Sequence, residues 1–157
     1  VADSMRLRIA DAAVARLALA SVTVNGTART KPTGLTAHRF PNRPITTDQL
    51  PAIVLFFLES PTPQYEASDT ADRVLRLVCE FRAIVPAGTP PDDAVDPLIS
   101  WAALALLSDE DLGGLAEKID EGPTLWEAVE EGQRHARART VYDITHITLR
   151  NDPEAQP

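Results

Sequence analysis

Three histidines, one cysteine and a crowd of carboxylates are the side chains of this 157-residue chain that could do chemistry. His38, His135 and His146 stand far apart, and none has a second His, Cys or carboxylate at familiar ligand spacing, so a zinc site is not expected. His146 and Asp143 would meet only on a helix; on a strand they face opposite ways. No serine or cysteine stands in a nucleophile-elbow context. Gly113-Gly114 lacks the spacing of a phosphate-binding loop and follows an apolar helix instead of preceding one, so it reads as a stop. No catalytic, metal-ligating or cofactor-binding residue is expected, and no cofactor. The carboxylates are more informative together: Asp109, Glu110, Asp111, Glu117, Asp120, Glu121, Glu127, Glu130 and Glu131 share one segment. They read either as a solvated face that keeps the protein soluble or as a surface that repels polyanions. Paired acids for hydrolysis come third, because no aromatic-lined cleft accompanies them.

The elements that would position these groups can be followed along the chain. Residues 3–20 predict a helix with Leu7, Ala10, Val14, Leu17 and Ala18 on one side and Asp3 or Ser4 as cap. Asn25-Gly26 signals a tight turn between short β-prone runs. Residues 35–40 leave room for one short strand, and residues 41–51 read as a surface loop. Residues 52–58, AIVLFFL between prolines, predict a buried strand. Residues 60–72 read as a loop.

The clearest strand is residues 73–85, with Leu75, Leu77, Cys79, Phe81, Ala83 and Val85 on one face. Val74, Arg76, Val78, Glu80 and Arg82 make a mixed opposite face. Cys79 falls on the core side and reads as a small hydrophobe. A second helix, capped by Asp92 or Asp93, runs to about Leu107. Residues 124–129 and 137–149 predict two closing strands, the second with a bulge or edge position because its pattern changes face between Val141 and Ile144. Residues 151–157 read as a disordered tail. The result is an α+β class, an antiparallel or mixed sheet with two main helices on one face, forming a single domain over residues 1–150.

Composition agrees with a globular fold, at 44% hydrophobic and 24% charged residues. No apolar run reaches the roughly 20 residues that span a bilayer, so no membrane partner is expected. Asp3, Arg6, Arg8 and Asp11 do not suit a signal peptide. The single Cys79 excludes an internal disulfide, and a cytosolic, reducing setting is the expectation. A net charge of −8 argues against a protein that grips nucleic acid. The short basic run Arg134, Arg137 and Arg139 reads first as a charged strand edge.

Four stretches together resemble the tail terminators of long-tailed bacteriophages, the family of minor tail protein U. They are the opening LRIADAAVARLALA; the LPAIVLFFLES strand after HRFPNRPITTDQLPA; DRVLRLVCEFRAIV leading into DPLISWAALALLSDEDLGGLAEKI; and the closing ARTVYDITHITL. They span most of residues 5–149. The resemblance implies a non-enzymatic ring, typically hexameric, that caps the tail tube, stops its polymerisation and offers a head-joining surface. Its implied partners are copies of itself, the tail tube protein and a head-completion or connector protein, and DNA passes through without specific binding. Its implied location is the virion tail, assembled in the host bacterial cytoplasm. Under that reading the nine carboxylates are candidates to line the lumen, and Arg73, Arg76 and Arg82, assigned to the mixed sheet face, are candidates for inter-subunit ion pairs. The alternatives are another head–tail joining or tail-completion protein, or a small cytosolic ligand-binding domain or enzyme.

Overall fold

Two apolar stripes at helical spacing and a set of strands with period-two burial meet over one core. The computed structural model describes residues 4–39, 41, 43–66, 69–127 and 135–157. The opening helix α1, Met5–Leu17, starts where the Ser4 hydroxyl accepts from the Leu7 N–H at 3.4 Å; the other expected cap, Asp3, lies outside the described residues. Its buried stripe is Met5, Ile9, Ala10, Ala13 and Leu17. The expected stripe is therefore corrected by about one position: Leu7 and Val14 are only half-buried and Ala18 is exposed. Ala10 and Ala13 let the helix approach the strands closely, whereas Leu7 sits at its flank.

The second helix, α2, Pro91–Leu107, is capped by neither Asp92 nor Asp93. Pro90 holds the cap position and Pro91 the first turn, where a missing N–H costs nothing. Asp92 and Asp93 sit in that turn, favourably placed for the helix dipole. Two side chains tie the helices together. The Trp101 indole donates to the Leu17 carbonyl at 3.0 Å, and Arg16 donates to the Ala105 carbonyl at 3.1 Å and to Ser108 Oγ at 2.7 Å. An Arg16 charge at the last turn of both helices is also where their dipoles favour a cation.

Asn25 and Gly26, at φ of 50° and 78°, close the hairpin of β1 (Ser21–Val24) and β2 (Thr27–Thr30), which form their own two-stranded sheet. The main sheet contains β3 (Thr36–Arg39), β4 (Ala52–Phe57), β6 (Thr70–Ile84), β8 (His135–Leu149) and β7 (Lys118–Trp126), in that spatial order. The short β5 (Gln64–Tyr65) pairs with the start of β6. β3 runs parallel to β4 and the other pairs are antiparallel, so the sheet is mixed. Both helices pack on the face that carries Ile53, Leu55, Leu75, Leu77, Phe81, Ala138, Tyr142 and Ile144. The α+β class is thus realised with both helices on one side.

Several local expectations change. Residues 60–72 are not all loop, since β5 and the start of β6 fall there. The closing strand β8 alternates without interruption and lies between β6 and β7, so it is neither bulged nor an edge. The irregularity belongs to β7, between Glu121 and Thr124. Gly122 and Pro123 there are tolerated because β7 is the edge strand, where a missing ladder donor and a bulge are least costly. β7 also begins at Lys118 rather than at 124, and residues 128 and 129 of the expected strand lie outside the described residues. Finally, residues 151–157 turn back. The Leu149 N–H donates to the Ala155 carbonyl at 2.9 Å, and Gln156 Nε2 donates to the Gly114 carbonyl at 2.9 Å.

Candidate functional site

On a twisted sheet whose helices lie on one side, the opposite face must be stabilised by its own side chains. Here the strand register assembles it. Glu80 of β6 stands directly opposite Arg139 of β8 and Val54 of β4; Arg82 stands opposite Arg137, Val78 opposite Val141 and Phe56, and Arg76 opposite Asp143. Among the described residues no α-helix packs on this face.

At its centre the Glu80 carboxylate is only 3% exposed. A buried charge of this kind persists only when paired and hydrogen-bonded. Oε1 accepts from Arg82 Nε at 2.6 Å and Oε2 from Arg139 Nε at 2.8 Å, with Arg139 Nη2 also 2.8 Å from Oε2. Arg137 Nε stands 3.8 Å from Oε1. Glu127, just past the end of β7, faces Arg137 and Arg139 at 3.8 Å each. Three guanidiniums against two carboxylates leave this cluster with one excess positive charge. The Arg139 guanidinium also lies 5.6 Å from the Phe56 ring centroid. Val54 and Val78 on this face are buried. Leu125, on the same face beside Arg139 and 66% exposed, extends the apolar area to the sheet edge.

The three arginines expected at an interface do not share a surface. Arg76 and Arg82 are on the uncovered face, Arg76 in an ion pair with Asp143 at 3.3 Å. Arg73 has the parity of Leu75 and Leu77, so it lies on the helix side, where its Nε donates to Thr148 Oγ1 at 2.8 Å. Its assignment to the mixed face is corrected by that period-two alternation. The expected strand-edge role of the basic run fails for the same kind of reason: Arg137 and Arg139 belong to an interior strand, and Arg134 lies outside the described residues.

The carboxylates expected to act together follow the turn after α2 and then edge strand β7, without sharing one face. Asp109 lies 3.9 Å from Arg16. Asp111 accepts from the Gly113 N–H at 3.0 Å; hydrogen bonding with Asp109, then with that amide, lowers its pKa. Glu110 and Glu117 are exposed, Asp120 pairs with Lys118 at 2.9 Å, and Glu121 points to the opposite side of β7 from Asp120. Glu127 is committed to the arginine cluster. Glu130 and Glu131 lie outside the described residues. Gly113 and Gly114, at φ of 71° and 91°, turn the chain from α2 towards β7.

Cys79 is placed for packing. Burial pushes the Cys79 thiol up to about 12 and leaves it without thiolate character near neutrality. Among the described residues no three His, Cys, Asp or Glu side chains converge as metal ligands, and no helix is long and apolar enough to cross a membrane. Two of the larger cavities measure about 250 and 260 Å³, below the roughly 300–1,000 Å³ of sites for drug-sized ligands.

Glu80 is the residue that sequence reasoning passed over. Its only signal was a pair of two-residue spacings, Glu80–Arg82 and Arg137–Arg139, which match each other once the register is known. No family model matches this chain and no curated protein matches it in sequence.

Proposed function

We propose that this protein is a structural ring subunit of the phage tail-terminator kind, which works by geometry rather than by catalysis. The observation that carries the reading is the uncovered sheet face. A patch that joins Phe56, Val141 and Leu125 to a pre-ordered arginine–glutamate cluster has the make-up of an interface: an apolar centre with arginine and aromatic anchors. Such a patch on one copy, meeting a different surface on the next, closes into a ring when the rotation allows. The complementary surface is the acidic edge formed by the 109–111 turn and β7, opposite in sign to the excess charge of the cluster. Carboxylates left free on that edge would face the bore and keep passing DNA from binding. The ring would cap the tail tube within the virion tail, after assembly in the host bacterial cytoplasm, and present its other rim to a connector protein.

Sedimentation across a concentration series, followed by electron microscopy of the protein mixed with growing tubes of its cognate tube protein, tests this. Closed rings seated on tube ends, with tube growth arrested, are expected. A protein that stays monomeric alone and with tubes, and leaves their length unchanged, overturns the reading. Rings that bind a connector but ignore tubes would instead assign it to another head–tail completion role.

A further inference from the structure

On the helix side of the sheet, where α1 begins beside the start of β6 and the end of β8, lies a cavity of about 170 Å³. Arg6, Arg73, His146 and Ser60 line it, with Pro61 and Pro63 among its walls. Every titratable side chain on that lining is a base. Glu59 and Asp152 are sequence neighbours of lining residues, yet neither lines it. No ion pair within the described residues neutralises Arg6 or Arg73; Arg73 spends one N–H on Thr148 Oγ1 and keeps the rest of its fork. His146 is 2% exposed and its Nδ1 has no partner with hydrogen-bond geometry. Two unneutralised guanidiniums held beside a buried, incompletely paired imidazole are costly unless an anion joins them.

We propose that this cavity binds a phosphate-sized oxyanion, gripped by Arg6 from α1 and Arg73 from β6, with Ser60 as a further donor and His146 as the inner wall. Its volume of about 170 Å³ has room for a single tetrahedral group. Arginine is the residue suited to such recognition, because its planar fork offers parallel donors to two oxygens. Burial holds the His146 pKa below its ordinary value, the Ile144 carbonyl opposes this, and Arg73 and Arg6 lower it further. A bound anion would offset the two arginines and favour the imidazolium. The site is independent of the ring reading, so either can fail alone.

The test is titration of the protein with inorganic phosphate at constant ionic strength, with chloride as the control, followed by calorimetry and by the His146 ring resonances. Saturable binding to phosphate, and a His146 pKa that rises on saturation, are expected. Arg6→Ala, at an exposed helix position, should weaken binding about tenfold without lowering the phosphate-free unfolding midpoint. Arg73→Gln should weaken it at least as much. Absence of saturable binding overturns the proposal, as does phosphate affinity unchanged in both variants.

Discussion

Glu80 and His146 are two buried ionisable side chains with opposite arrangements, one saturated with partners and one short of them. Glu80→Gln would keep the shape of the side chain and remove the charge that three arginines surround. Breaking a buried pair commonly costs about 3–5 kcal/mol, but Arg137 and Arg139 can turn to water, so a loss of about 2 kcal/mol in urea unfolding is expected. His146 makes a pH prediction. Its folded pKa lies below the ordinary histidine value of 6.5, so its contribution is complete above that value, where both states are neutral. It is lost as pH falls from 6.5 towards the folded pKa, because the unfolded chain takes the proton first. Stability measured across that window should therefore drop more steeply in the native protein than in His146→Gln; parallel curves would exclude the effect. At this scale the core side of β6 was legible, Cys79 included, because strict alternation marks it. The burial of Glu80 was not, since alternation assigns a face without saying what lies across it.

Edge strand β7 is the element most poorly marked in the sequence. Gly122 and Pro123 interrupt its pattern, and the strand expected from the sequence begins only at residue 124. The structure makes this a strand because β8 offers a long, regular ladder and a bulge absorbs the two irregular residues. Gly122 has a specific reason to be there: a Cβ would stand 2.7 Å from the Val141 carbonyl oxygen. Gly122→Ala should therefore destabilise the protein by about 1–3 kcal/mol, as overpacking does. Hydrogen exchange should show the loosening first in the β7 amides. The helices were more readable. The existence of α2 follows from its apolar spacing, whereas the rotation of α1 by a position depended on which alanines meet the sheet.

For the whole molecule, the decisive asymmetry is a sheet with helices on one side and its own side chains on the other. If that second side is an interface, Leu125 is the position to change, because its side chain contributes little to the folded monomer. Leu125→Lys should leave the unfolding midpoint within about 0.5 kcal/mol of native while weakening self-association in sedimentation. A variant that associates as well as the native chain would move the interface elsewhere. From its residues alone, this chain determined its class, most of its strands and the face of β6 that enters the core, since periodicity and turn chemistry are local properties. Only the tertiary structure decided that β8 is interior, that Arg73 leaves the company of Arg76 and Arg82, and that Glu80 gathers arginines from two strands. Those outcomes depend on register between segments about sixty residues apart, and no local pattern encodes which rung of one strand meets which rung of another.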